Sequence, residues 1–222
     1  MQKKKRKKRL RVGRLLFLLL LLAAISFAFI KYVRVPIRSI NISGNNILTD
    51  QEIIDIAKLD NYPSYFEVIS YVVKKRISKN EYVSSVNVRK GLLNVKINIV
   101  ENKVLYIDSK TNEKVMLNTK VKDDKVICVP YLTTSIRSGH EEEFRKAMNK
   151  IDSSVLCKMS EIKYDPNDID EDRYYVNMND GNGVYLTINK FKKINNYDTI
   201  LESIGKENGI LYLDYGEYFK PY

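Results

Sequence analysis

Sixteen consecutive uncharged residues, Leu15 to Ile30, hold seven Leu, three Phe and two Ile, and this run limits what the chain can become more than any other feature. Extended through Lys31 to Val33 it gives about 28 Å of helix at 1.5 Å per residue, against a hydrocarbon core of roughly 30 Å. Each Leu, Ile or Phe favours insertion by about 0.3–0.6 kcal/mol, so the segment gains on the order of 5 kcal/mol. The expectation is a transmembrane helix over 15–33. Nine basic residues and no acid precede it (Lys3, Lys4, Lys5, Arg6, Lys7, Lys8, Arg9, Arg11, Arg14), a basic tail over 1–14. Lys and Arg flanking a span stay on the cytoplasmic side, which places the N-terminus inside and residues 34–222 outside. A cleavable signal peptide is the alternative, with small residues at Ser26-Phe27-Ala28. The apolar run is longer than the usual ~7–15 residues of a signal core and no helix breaker interrupts it, which favours an uncleaved anchor.

The formal net charge of +11 suggests nucleic acid until the tail is set aside, for then 29 Lys+Arg face 27 Asp+Glu. The exported part is nearly neutral, and the tail suits anionic lipid head groups, at roughly 1 kcal/mol per basic residue. Cys128 and Cys157 lie 29 residues apart, outside any CxxC spacing, so they offer neither a zinc ribbon nor a redox motif. A disulfide is open to them in an exported domain, but small buried apolar residues are the favoured reading.

Beyond the span, Ile37 to Ile42 alternates as a half-buried strand, and Ser43-Gly44-Asn45-Asn46 is turn chemistry. Thr49-Asp50-Gln51-Glu52 is a capping box that starts a short helix with Ile53, Ile54, Ile56 and Ala57 on one face. Ser64 with Glu67 repeats the signature and predicts a helix from Ser64 to Ile77, carrying Phe66, Ile69, Val72, Val73 and Ile77. Val83, Val86 and Val88 lead through Lys90-Gly91 into Leu93, Val95, Ile97 and Ile99, the second strand of a hairpin. Strand-like runs then follow at Val104–Ile107, Lys114–Leu117, Val126–Leu132, Glu161–Tyr164, Tyr174–Met178 and Val184–Ile188, the last two flanking Asp180-Gly181. Helices are expected at Glu141–Ile151 and about Lys193–Ile204, and a final strand at Ile210–Tyr215.

No catalytic constellation is legible, nor any metal-ligand spacing. His140, the one histidine, reads as part of a helix start. Glu141-Glu142-Glu143 suits the positive end of a helix dipole, and the acids from Asp165 to Asp172 read as a loop without the glycine and terminal glutamate of a calcium-binding EF-hand. Sixteen tyrosines and no tryptophan fit sheet interiors and edges, where the ring packs and the hydroxyl stays wet. Tyr212, Tyr215, Tyr218, Phe219 and Tyr222 crowd the C-terminus, beside a strand on which a partner strand could pair.

The order strand, helix, helix, strand, strand resembles a POTRA domain. More narrowly, Ile40-Asn41-Ile42-Ser43-Gly44-Asn45-Asn46-Ile47-Leu48-Thr49 and the Val95-x-Ile97-x-Ile99-x-Glu101 strand resemble the FtsQ/DivIB cell-division family. Val129-Pro130-Tyr131-Leu132, Met159-Ser160-Glu161-Ile162, Asn179-Asp180-Gly181 and Gly209-Ile210-Leu211-Tyr212-Leu213-Asp214 are similar to its β domain in order and spacing. One departure is Leu92 after Gly91, where the family usually has a proline before the strand. The resemblance implies an α+β chain: one N-terminal transmembrane helix, a POTRA domain over 34–103, a β-rich domain with flanking helices over 104–216, and a tail over 217–222. It further implies a non-enzymatic division scaffold at the septum, without cofactor or metal, in association with FtsL-like and DivIC/FtsB-like proteins and with a septal penicillin-binding protein. The matching edge segment makes Leu211, Tyr212, Leu213, Asp214 and Tyr215 the expected partner contacts. A membrane-anchored cell-wall hydrolase and an exported POTRA-bearing translocation factor are the alternatives from other classes.

Overall fold

The computed structural model describes residues 12–32, 35–205 and 207–222. The tail basics Lys3 to Arg9 and Arg11, together with Val33 and Arg34, lie outside the described residues. The apolar run forms α1 (Val12–Tyr32), about 31 Å long, with Leu20 70% and Phe17 66% exposed. It is long and apolar enough to cross a membrane.

The chain divides into two compact units, one of residues up to Ser43, Thr49–Ile77 and Val86–Asn98, the other of Gly44–Leu48, Ser78–Ser85 and Ile99–Tyr222. After α1 come β1 (Ser39–Ser43), α2 (Asp50–Ala57), α3 (Ser70–Ile77), β2 (Val83–Lys90) and β3 (Asn94–Glu101), the order read from the sequence. Their sheet runs β1-β3-β2, with β1 parallel to β3. Strand β3 alternates as its residues require, with Val95, Ile97 and Ile99 buried and Lys96, Asn98 and Val100 exposed. The first capping box forms: Glu52 N donates to Thr49 Oγ1 at 3.2 Å, and Thr49 N donates to Glu52 Oε2 at 2.8 Å.

The second helix differs from its expectation, starting at Ser70 instead of Ser64. Half of the second capping box is present, Ser64 N donating to Glu67 Oε2 at 3.1 Å, but residues 64–68 close only a single turn. Pairing with the chain that follows α1 explains this. Ile37 N donates to Pro63 O, Tyr65 N donates to Val35 O, and this bridge holds the backbone around Ser64 extended. The buried positions are Val68, Val73 and Ile77, leaving Phe66 and Ile69 exposed. Leu93 likewise falls in the β2–β3 turn, with φ +59°, and not in the strand.

Glu101, the last residue of β3, accepts hydrogen bonds from three successive amides, Asn46 N (2.8 Å), Ile47 N (2.8 Å) and Leu48 N (2.9 Å). Gly44 precedes them with φ +84°, and a Cβ there would stand 2.0 Å from Ile99 O, so only glycine fits the approach.

The second unit carries β4 (Val104–Asp108), β5 (Glu113–Met116), β6 (Lys120–Val121), β7 (Tyr131–Leu132), α4 (Glu141–Asn149), α5 (Ser153–Leu156), β8 (Met159–Tyr164), β9 (Arg173–Met178) and β10 (Gly183–Thr187). A 3₁₀ stretch (Ile188–Asn196), α6 (Tyr197–Ile204), β11 (Gly209–Tyr212) and β12 (Tyr218–Pro221) complete it. Among the described residues the strands form one sheet in the order β12-β11-β10-β9-β8-β7-β4-β5-β6. Phe144 of α4 lies at the centre of the core, its ring 5.3 Å from Tyr106, 4.9 Å from Tyr174 and 5.7 Å from Phe191.

The helix expected from Lys193 begins five residues earlier and is first a 3₁₀ helix. Ile188, Phe191, Ile194 and Tyr197 are all buried, and their spacing of three matches a helix of three residues per turn. Of the expected strand Val126–Leu132 only the last two residues pair, and Val126 is fully exposed. Residues 217–222, expected as a tail, contain β12.

The cysteines correct the reading of them as buried apolar residues. Cys128 is exposed, Cys157 half-buried, and the two form a disulfide with Cα atoms 4.7 Å apart. Closing a loop of this length contributes about 3.6 kcal/mol by restricting the unfolded chain.

Lys114 is buried, and its ammonium donates to Asp123 Oδ1 at 2.7 Å. Partial burial pushes the Asp123 carboxyl up, but hydrogen bonds from Lys114, Tyr82 and Lys125 N outweigh it and hold the carboxyl below its usual 3.8.

Two outcomes are expected for the purified chain in detergent. Glu101→Ala should lower unfolding stability by about 2 kcal/mol in urea titration, because three amides lose a charged acceptor; an unchanged midpoint would show that the loop is held by other means. Asp123→Ala should cost about 3 kcal/mol near neutral pH by stranding the Lys114 charge. A carboxyl lowered on folding stabilises above its unfolded value and loses that contribution as pH falls through the folded one. The gap between parent and variant should therefore narrow below pH 3.8.

Candidate partner-binding edge

Strands β9 to β12 each place a tyrosine at the same level. Tyr175 is register partner of Tyr185, Tyr185 of Tyr212, and Tyr212 of Tyr218. Side-chain alternation explains the alignment: Tyr174 and Val176, Val184 and Leu186, and Leu211 are buried, so the tyrosines between them share the opposite face. Ring centroids follow at 4.8, 5.3 and 4.5 Å, and the last pair is stacked within 8° of parallel. The ladder grows more exposed along its length, from half-buried Tyr175, Tyr185 and Tyr212 to Tyr218 at 54%.

Arg173 braces this face, its guanidinium 3.5 Å from the Tyr185 ring centroid. Its Nε donates to Asp214 Oδ2 at 2.8 Å and a terminal nitrogen donates to Asp165 Oδ2 at 3.2 Å. Burial works against the arginine charge, but the Asp214 bond and its acidic neighbours outweigh it and raise its pKa. Burial, then the hydrogen bond with Tyr222, pushes the Tyr175 hydroxyl up to about 12.

The five expected partner contacts are brought together in the chain but divided in space. Leu211 and Leu213 are 2% and 1% exposed, within the core. Asp214 is buried against Arg173, and its carbonyl accepts from Lys190 Nζ. Tyr212 joins the ladder and Tyr215 is 84% exposed. Since β11 is flanked by β10 and β12, the sheet edge on this side is β12, where Tyr218, Lys220 and Pro221 are exposed. Sequence reading missed Tyr175 and Tyr185 as members of the surface; the signal was a tyrosine in the outward phase of each alternating strand.

His140 sits at the N-terminal cap of α4, with the three glutamates in the first turn, as their positions suggested. Among the described residues no group of three or more His, Cys, Asp or Glu is placed to hold a metal ion. A cavity of about 340 Å³ is bordered by Glu101, Lys103 and Cys128, whose polar groups are already engaged. Glu101 binds amides, Cys128 is crosslinked, and Lys103 donates to the carbonyls of Asn149 and Ile151.

Residues 35–102 match the model of the FtsQ-type POTRA domain. The chain is 28% identical over 233 residues to cell division protein DivIB of Bacillus anthracis, covering 99% of this chain and 86% of that one. Against DivIB of Solibacillus silvestris the identity is 30% over 206 residues, 86% and 72% of the two chains. The solved major extracytoplasmic domain of the trans isomer of DivIB from Geobacillus stearothermophilus is 29% identical, covering 42% of this chain and 84% of that one, with a TM-score of 0.36. An apolar N-terminal helix, an FtsQ-type POTRA domain and a β-rich unit with a tyrosine-faced edge define a class of single-helix, POTRA-bearing proteins. Within that class, the chain belongs to the DivIB family.

The division of the five contacts is testable by circular dichroism and urea unfolding. Leu213→Asp buries a charge in the core and should cost more than about 4 kcal/mol, while Tyr215→Asp should shift stability by less than about 0.5 kcal/mol. Equal effects would contradict the burial described.

Proposed function

We propose that the chain is a non-enzymatic scaffold of the bacterial cell-division assembly, which binds single-span division proteins through the β12 edge and supports septal peptidoglycan synthesis. The curated relatives are named cell division proteins. In this reading α1 is an uncleaved span, the N-terminus is cytoplasmic, and residues from 34 onward stand outside the membrane at the septum. The basic residues ahead of α1 support that orientation, and the Cys128–Cys157 disulfide suits an oxidising exterior. A POTRA domain over 34–103 precedes a β domain from 104, whose sheet β12 extends.

The observation that carries the reading is the tyrosine ladder ending at an exposed strand. An incoming strand of an FtsL-like or DivIC/FtsB-like protein gains main-chain hydrogen bonds from β12 and ring contacts from Tyr212, Tyr215 and Tyr218. Leu211 and Leu213 hold β11 from beneath, and Asp214 fixes the Arg173 brace. Recruitment of a septal penicillin-binding protein follows through those partners. The acids serve structure, Glu141 to Glu143 opening α4 and Asp165 holding Arg173.

The test is a photo-crosslinking scan of the full chain in dividing cells at Tyr215, Tyr218 and Lys220, with Tyr218→Glu compared by co-purification. Crosslinks to FtsL-like or DivIC/FtsB-like proteins are expected. Recovery of them with the variant should fall about tenfold or more, an aromatic anchor being worth about 2 kcal/mol. Silence at all three positions together with undiminished recovery would remove the assignment.

A further inference from the structure

Among the described residues, and leaving α1 aside, five large apolar side chains of the first unit stand exposed: Tyr62 (51%), Phe66 (40%), Ile69 (56%), Tyr71 (72%) and Leu92 (87%). They come from two stretches of sequence, and backbone hydrogen bonds fasten both stretches to the chain that leaves α1. Ile37 N donates to Pro63 O at 3.2 Å, Tyr65 N to Val35 O at 2.7 Å, and Arg38 N to Leu93 O at 2.7 Å. Lys90, at the start of the turn bearing Leu92, donates to Val68 O at 3.0 Å and lies 3.7 Å from the Tyr65 ring centroid. Three peptide links join Tyr32, the last residue of α1, to Val35, a reach of at most about 10 Å.

We propose that these five side chains form a pad that rests in the head-group layer of the same bilayer that α1 crosses. The inference rests on reading α1 as a span. The short tether sets the occupant: a surface bonded to residues 35–38 cannot move far from the membrane into which α1 inserts. Aromatic rings settle at the head-group level, where the ring is apolar and the hydroxyl wet, and Ile69 and Leu92 add apolar area beside them. Lys31, Arg38, Lys74 and Lys75 favour anionic lipid. Of the nearby acids, Glu67 is engaged by the Ser64 amide and Asp60 by Asn61. The pad also accounts for Phe66 and Ile69 following an apolar rhythm without being buried in the protein.

The chain has no tryptophan, so one introduced indole reports alone. Full-length Leu20→Trp, Phe66→Trp and Leu92→Trp variants are reconstituted into phosphatidylcholine/phosphatidylglycerol vesicles with nitroxide-labelled lipids, and quenching is compared with that by aqueous iodide. Phe66→Trp and Leu92→Trp should lose most of their emission to a head-group-level nitroxide and little to iodide. Leu20→Trp should respond to a nitroxide deep in the acyl chains. Adding Ile69→Glu to Phe66→Trp, with folding checked by circular dichroism, should restore iodide quenching. If Phe66→Trp and Leu92→Trp follow iodide while Leu20→Trp follows lipid, the pad is overturned and the span stands. If Leu20→Trp escapes lipid quenching, span and pad fall together.

Discussion

One carboxylate decides how the chain passes from β1 to α2. Glu101 receives the amides of Asn46, Ile47 and Leu48, and no side chain with a single acceptor oxygen could serve three donors so evenly. The neighbouring residues complete the arrangement: Gly44 admits the close approach to Ile99 O, Leu48 is buried, and Thr49 opens the capping box of α2. A stretch that reads as loose turn chemistry is thus a continuous hydrogen-bonded unit. The glutamate closing β3 and the turn that follows β1 are thereby joined across 55 positions of sequence.

Features written in local periodicity were legible. The length of α1, the Thr49–Glu52 box, the alternation of β3, the acidic start of α4 and the Asp180-Gly181 hairpin, where Gly181 has φ +90°, all follow from residues a few positions apart. What failed depends on distant partners. Ser64 has the residues of a helix start, yet pairing near Pro36 claims its backbone. A spacing of 29 residues says nothing of whether two cysteines meet. The tyrosine-rich end resembles a tail because Gly216 and Pro221 interrupt it, though β11 gives it a strand to pair with.

The tyrosine-faced edge was half legible for a related reason. A strand turns successive side chains to opposite faces, so a run of consecutive contacts from Leu211 to Tyr215 could not all face outward. Leu211 and Leu213 go to the core, and Tyr212 emerges beside Tyr185 and Tyr218. The ladder is a property of four strands in register and is visible only when the sheet is assembled.

The brevity of β12 has its own consequence. It pairs over four residues, and the last, Pro221, has no N–H to offer. The edge therefore offers only a few rungs, too few to template indefinite stacking of like chains.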